Sequence, residues 1–580
     1  MAEQLADTGE RGPVRGNGVA RAGSFDALRR DGQLVTKVGS IPVVVFWHDG
    51  RAWAIEDRCP HMGFPLHQGS VETGLLTCHW HHARFDLESG CTLDLWADDA
   101  TAFDVQVDGD DVLVSARAVD DPVGHFERRL HDGLEEQITL VISKAVLGLL
   151  DLGVEPSAII RTGAEYGAAN RDTGWGAGLT VLVAMANVLP RLDPDDRPRA
   201  LVHGLRFIAT DTGGHPPRWP VDALETTAIP VERLASWYRR FIDTRAGNAA
   251  ERVLATALAT ADIDDVAAMM FAAATDHVFI DGGHTVDFTN KAFEAVTHLG
   301  AETAASLVPT VVPQTARASR AEETSAWRHP HDLVALLEQT TLAPGAGGYL
   351  DIAGLATRIL SDDPFTVVDA LVDAAAQGAS PEELGRAVAY AAALRLTRFH
   401  TRNDIGDWDD VHHAFTAANA VHQALVRAPT PELMRGVLQG ALRVYLDRFL
   451  NVPAARISSA TQGDLAELGE CWNAQGLVDR AGAIVVGYLR GGGDRGRVIA
   501  ALGHALLDED PGFHWYQVYE AAVRQALAWP DGSEESALIL CGAARFLAAH
   551  TPTRRELSTV VSIADRLRRG DALYEESVDA

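Results

Sequence analysis

Cys59-Pro60-His61-Met62-Gly63 and Cys78-His79-Trp80-His81 decide how this chain is read, with sixteen residues between His61 and Cys78. Each stretch offers one thiolate and one imidazole. Together they can serve two irons, the soft anionic sulfurs on one and the neutral nitrogens on the other, as in a [2Fe–2S] centre of mixed ligation. Zinc is the competing reading, since it too accepts a Cys₂His₂ quartet. Its usual order, however, places both cysteines before both histidines, whereas here Cys-x-His precedes Cys-x-x-His.

The flanking residues resemble those of Rieske ferredoxins and oxygenases: Pro65-Leu66 after the first stretch, Gly74-x-Leu76-x-Cys78 leading into the second, then Ala83-Arg84-Phe85-Asp86 with Gly90 behind it. The resemblance covers about the first 117 residues, a fifth of the chain. It implies that Cys59, His61, Cys78 and His81 bind one [2Fe–2S] cluster. High-potential members carry an extra pair of cysteines bridging the two loops, and this sequence has Phe64 and Trp80 there. The resemblance therefore implies no such disulfide, and the lower-potential type that feeds or belongs to oxygenases.

At 580 residues the chain has room for two to four ordinary domains. A formal charge of −30 argues against nucleic acid or an anionic membrane as partner, because both demand a basic face. No run approaches the twenty apolar residues of a membrane span, and Met1-Ala2-Glu3-Gln4 lacks a basic-then-apolar leader. A cytoplasmic location is expected. Beyond Cys59 and Cys78, the scattered Cys91, Cys471 and Cys541 look like reduced thiols rather than a disulfide framework. Lysine occurs only at Lys37, Lys144 and Lys291, which singles each of them out.

Pattern divides the chain into a multidomain α+β protein, with a small antiparallel β domain followed by a large all-α domain. Residues 1–22 lack periodicity and are expected to be disordered. Over 23–117 short β-like runs flank Asp49-Gly50 and Asp108-Gly109, dipeptides that suit tight hairpins because glycine accepts positive φ. A polar linker is expected over 118–135, and Ala/Leu-rich helical spacing then fills 136–580 as a His-rich domain. Ser380-Pro381-Glu382-Glu383, Thr430-Pro431 and Thr551-Pro552 read as capped helix starts. Gly491-Gly492-Gly493-Asp494-Arg495-Gly496 formally fits a dinucleotide-binding turn, but no βαβ alternation surrounds it and a Gly-rich interhelical loop explains it better.

A Rieske cluster passes single electrons, so the chemistry must lie in whatever receives them. The helical half places histidines in its most distinctive stretches, and His203, His284, His400 and His412 are expected to converge on a mononuclear metal, with non-haem iron suited to imidazoles and a carboxylate. Lys291 stands two turns beyond His284. It is a candidate catalytic neighbour, able to coordinate only if neutral or carbamylated, and otherwise an ion-pair partner for Asp287 or Glu294. Ring-hydroxylating oxygenases carry Asp-x-x-His-x-x-x-x-His, and here Asp409 and His412 are followed by Ala417 in place of the second histidine, so the catalytic half is not that fold. Its general character, with Lys291 in a His-bearing helix, resembles the questin-oxidase-like non-haem iron oxygenases, which use several histidines and a modified lysine around iron.

The reading is an oxidoreductase whose Rieske cluster takes electrons from an external reductase, inferred because no flavin or nicotinamide motif stands out, and relays them to that metal for O₂-dependent oxidation of a small organic substrate. The alternative is an electron carrier or redox-sensing module whose helical domain binds a partner or ligand without a second metal.

Overall fold

Val43-Val44-Val45-Phe46 is the centre of the β-fold, because successive strand residues point to opposite faces and here both faces are buried. In the computed structural model, which describes residues 19–117, 121–225, 229–349 and 351–571, nine strands form in this region: β1 (Ala20–Ser24), β2 (Gln33–Val38), β3 (Ile41–His48), β4 (Arg51–Glu56), β5 (Ser70–Glu72), β6 (Leu75–Thr77), β7 (Arg84–Asp86), β8 (Ala102–Asp108) and β9 (Asp111–Ala116). Six make one antiparallel sheet in the order β1-β9-β8-β4-β3-β2, and β5-β6-β7 make a second. Val43 and Val45 pack with Leu28 of α1 (Phe25–Asp31) and with Phe103, Val112 and Val114. Val44 and Phe46, on the other face, pack with Leu66, Leu76 and Phe85 and with Cys59 and Cys78. The alternation thus gives Cys59 and Cys78 their own core.

Both expected hairpins form. His48 pairs with Arg51 across Asp49-Gly50, whose φ values of 48° and 76° suit the right-handed twist of the flanking strands. Asp108 pairs with Asp111, so the second turn falls on Gly109-Asp110.

Two boundaries need correction. Of the stretch expected to be disordered, 1–22, residues 1–18 lie outside the described residues, while Ala20 begins β1 and pairs with Val114. The expected linker, 118–135, is helical from Pro122: α2 (Pro122–Glu135) starts on the Asp121 side chain, which accepts from the Gly124 N–H, and buries Leu130 and Leu134. Its charged outer face disguised an amphipathic helix. With α3 (Thr139–Asp151) it belongs to the β-fold's own compact unit, the described residues of 19–155 and 559–571, rather than to the helical one. Arg129 of α2 donates to Asp98 at 2.9 Å, and Lys144 of α3 stands 2.7 Å from the same carboxylate.

The second unit, Pro156–Ser558, is helical among the described residues. Ser380 opens a helix with a reciprocal capping box to Glu383, as its sequence indicates. Thr430 and Thr551 do not: the nearest following helices begin at Met434 and Glu556, and Thr551 instead ends the helix Glu534–His550. Gly491 to Gly493 join two helices, Val478–Arg490 and Arg495–Asp508, with no strand before them. No helix among the described residues is long and apolar enough to cross a membrane.

Candidate metal centres

Two loops of the β-fold close in the same way. The Cys59 N–H donates to the Phe64 carbonyl at 2.7 Å, and the Gly63 N–H returns to the Cys59 carbonyl at 2.7 Å. Likewise the Cys78 N–H donates to the Ala83 carbonyl at 2.8 Å, and the His82 N–H to the Cys78 carbonyl at 3.0 Å. The fifth position of each loop is left-handed, Gly63 at φ 79° and His82 at φ 64°. Equivalent closure presents equivalent atoms. Backbone N–H groups of His61 and Met62 favour the Cys59 thiolate, and those of Trp80 and His81 favour the Cys78 thiolate.

The two cysteines are buried and share a hydrogen bond, which pushes the Cys59 thiol up and pulls Cys78 down to about 6. The His61 and His81 rings meet edge to face with centroids 4.8 Å apart, and Trp96 meets His61 from another side, also at 4.8 Å. Burial, then the proximity of His81 and Lys144, lowers His61 to about 4, so its ring is neutral at pH 7. Phe64 and Trp80, which replace the bridging cysteines of the high-potential type, face each other across the loops at 6.3 Å.

In the helical unit, four imidazoles converge from three helices. His284 opens His284–Leu299, His412 and His413 lie in Trp408–Arg427, and His514 lies in Phe513–Leu527. Gly283, at φ 95°, lets the first helix approach so closely that a Cβ there would stand 2.5 Å from Ala417 Cβ. His413 Nε2 and His514 Nε2 are 3.2 Å apart, a spacing that two nitrogens bound side by side to one ion also adopt, at about 3.0–3.4 Å for bonds of about 2.1 Å. One ligand atom from each of His284, His413 and His514 lies within 4.8 Å of the others, and Asp409, His412 and His514 form a second such group. His412 Nδ1 lies 3.0 Å from the Trp408 carbonyl, so it carries the proton and donates. Its buried Nε2 is left with a lone pair and no partner, the arrangement that orients metal-bound imidazoles.

Burial is the main reason that all four rings stay neutral. It lowers His284 and, with neighbouring histidines, brings His413 to about 3, His514 to about 4 and His412 well below its ordinary value.

Below this cluster the helices His284–Leu299 and Phe513–Leu527 form a ladder of polar pairs. His284 stacks on His514 with centroids 5.5 Å apart; Gln517 donates to Asp287 at 2.5 Å; Lys291 donates to Glu520 at 3.1 Å; Arg524 pairs with Glu294 at 2.8 Å. Lys291 is wholly buried, bonded also to Glu294 at 3.0 Å, with Asp287 at 3.8 Å. Although burial opposes its charge, these carboxylates raise it above the ordinary lysine value. Glu294, despite burial, is held down to about 2 by Lys291 and Arg524. Lys291 is therefore an ion-pair partner, the second of the two roles its sequence left open.

Two expected members of the site lie elsewhere. His203 is a core histidine whose Nδ1 lies 2.7 Å from the Tyr516 hydroxyl, and His400 accepts from the Arg402 N–H at 3.1 Å in a loop. Neither belongs to the metal-competent groups among the described residues.

Residues 19–103 match the family model of the Rieske [2Fe–2S] domain. The ferredoxin component of the alkene monooxygenase system of Xanthobacter autotrophicus is 33% identical over 86 residues, 14% of this chain and 70% of that protein. The chain belongs to the Rieske [2Fe–2S] family. A human Rieske domain-containing protein is 32% identical over 72 residues, 12% of this chain and 46% of that protein. The 4β-methylsterol monooxygenase of Methylococcus capsulatus is 51% identical over 43 residues, 7% of this chain and 12% of that enzyme. The chain thus spans less than half the length of the latter two relatives.

A Rieske domain implies a [2Fe–2S] cluster, and the donor set fits one. Two buried thiols stand in contact, and His61 Nδ1 is buried with no hydrogen-bond partner. Such an orphaned nitrogen beside paired sulfurs costs free energy until something accepts its lone pair.

His413 and His514 are the members that sequence reasoning missed. The signal was a polar stripe in otherwise apolar helices: His284, Asp287, Lys291 and Glu294 recur at the spacing of one helix face, as do His514, Gln517, Glu520 and Arg524. Two such stripes in buried helices must satisfy each other.

Proposed function

We propose that the chain is a Rieske-dependent oxidoreductase in which Cys59, His61, Cys78 and His81 hold the cluster, and His284, His413 and His514, flanked by His412 and Asp409, hold a mononuclear non-haem iron. The cluster, when bound, supplies one-electron transfer, and the iron, when bound, supplies a site for O₂. An external reductase is the electron source and a small organic molecule the substrate. The observation that carries this reading is the convergence of four neutral imidazoles, His412 buried and the other three half-buried, with His412 locked in one tautomer by the Trp408 carbonyl. Neutral imidazole is the form that binds metal.

The chain's own residues prepare the site. Phe288 and Phe513 pack on His284 at 5.4 and 5.6 Å and keep water from that side. Behind Gly283 lies a cavity of about 20 Å³ lined mainly by apolar groups, among them Phe279, Val286, Ala417 and Val421. That is room for one water-sized molecule, and none of the four histidines lines it. The match to a monooxygenase ferredoxin supports the same direction.

Metal and sulfide analysis of the purified chain tests the reading, with a His413→Ala/His514→Ala double variant beside it. The expected result is two irons with two sulfides plus a third metal ion, and loss of the third ion alone in the variant. A full cluster with no further metal in the wild type refutes the helical site and favours the carrier or sensor.

A further inference from the structure

The loop that carries Cys59 and His61 is gripped from outside the residues that match the Rieske family. Lys144, in α3, donates from Nζ to the carbonyl of Pro60, the residue between those two ligands, at 3.2 Å. The same ammonium lies 2.7 Å from Asp98. Arg129, in α2, donates to Asp98 at 2.9 Å and to the Ala97 carbonyl at 2.9 Å. Trp96, the residue before Ala97, packs against the His61 ring. The group therefore reaches the ligand loop twice, directly at Pro60 and through the 96–98 turn at His61.

Its charge is unevenly placed. Arg129 is paired a second time with Asp132, a 43% exposed carboxylate at 2.9 Å, whereas Lys144 and Asp98 are only 17% and 10% exposed, so the ammonium beside the Pro60 carbonyl is weakly screened by water. Lysine also suits the place. A compact ammonium can address a carboxylate and a carbonyl at once, where a guanidinium would impose its planar fork. An electron taken up by a cluster adds negative charge, which a nearby cation favours.

We propose that Lys144, Asp98 and Arg129 form a positioning triad, supplied by α2 and α3, that raises the reduction potential of the cluster. This rests on the assignment of Cys59, His61, Cys78 and His81 as its ligands. Lys144 supplies the positive charge, Arg129 fixes the turn that carries Trp96, and Asp98 holds the two in place while offsetting part of their charge.

The test is a redox titration of the full-length chain, followed by the visible spectrum and by the EPR signal of the reduced cluster. Lys144→Met should lower the equilibrium constant for reduction about tenfold, a fall of about 59 mV for one electron. Asp98→Asn should move it the other way, and Lys144→Arg should keep it within about threefold of the wild type. A triad that only staples the loop would shift Lys144→Met and Asp98→Asn in the same direction or not at all, and either outcome overturns the proposal. Should Lys144→Met fail to take up a cluster, Asp98→Asn decides alone; loss of the cluster in both variants overturns it too, since a tuning charge is dispensable for assembly. A wild-type chain without a [2Fe–2S] spectrum defeats the ligand assignment itself, a result distinct from unchanged potentials in loaded variants.

Discussion

Metal affinity at the helical site should be almost indifferent to mild acid. Three ordinary histidines, with pKa near 6.5, would each be about nine-tenths protonated at pH 5.5, and since a ligand must shed its proton, affinity would fall roughly 600-fold between pH 7.0 and 5.5. Here burial and the neighbouring rings hold His413 at about 3 and His514 at about 4, so neither binds a proton across that range. Only His284, lowered by burial, remains to respond, and even an unshifted imidazole would contribute less than about tenfold. We predict a loss of less than tenfold in all. The assay is anaerobic Co²⁺ or Fe²⁺ binding by competition with a chelator of known affinity at each pH, together with proton release measured in weakly buffered solution. A fall of several hundredfold, or release of two or more protons per ion at pH 6, would refute the claim that the fold keeps these imidazoles neutral.

Neutral burial has a cost away from the metal site too. Burial holds His203 at about 3 and His422 at about 4, so below pH 6.5 the unfolded chain binds protons that the folded one refuses, and unfolding free energy should fall by about 1.4 kcal/mol per pH unit for each down to those values; a flat profile between pH 6.5 and 4.5 would contradict it. Lys291→Met leaves Asp287, Glu294 and Glu520 buried with too little positive charge, and should cost about 3–5 kcal/mol in denaturant unfolding. A loss under 1 kcal/mol would mean that water already reaches the ladder. At His82, whose φ is 64°, glycine should hold or slightly raise the melting temperature while valine costs about 1–2 kcal/mol, because a β-branched side chain resists the left-handed region. Equal melting temperatures for the two variants would show that the loop does not hold that conformation.

How much was legible followed from range. The two Cys/His loops and the Asp49-Gly50 hairpin are local, and a few adjacent residues dictate them. The capping box at Ser380 is equally local, but the Thr430 and Thr551 motifs look alike in sequence and open no helix directly, since neighbouring packing ends the pattern. α2 was mistaken for a linker because Arg128, Arg129 and Asp132 give it a polar look, although Leu130 and Leu134 share a buried face. The histidine site depends on contact between His413 and His514, 101 residues apart. His203 and His400 stand in equally unusual sequence, yet each is satisfied elsewhere, His203 by the distant Tyr516 hydroxyl and His400 by the adjacent Arg402 N–H.

The polar ladder between His284–Leu299 and Phe513–Leu527 acts as an alignment code. Read in order, its rungs are His284 with His514, Asp287 with Gln517, Lys291 with Glu520 and Glu294 with Arg524. If one helix slid a turn past the other, Asp287 would face Glu520 and Lys291 would face Arg524; slid the opposite way, Glu294 would face Glu520. Either slip sets like charges against each other in a dry core, whereas apolar side chains of similar shape would tolerate several alignments. A buried polar residue that fixes register at some expense in stability is well attested in coiled coils. In this chain the code has a destination, since the phase it enforces at Lys291 and Glu520 is what brings His284 and His514 level with each other at the top.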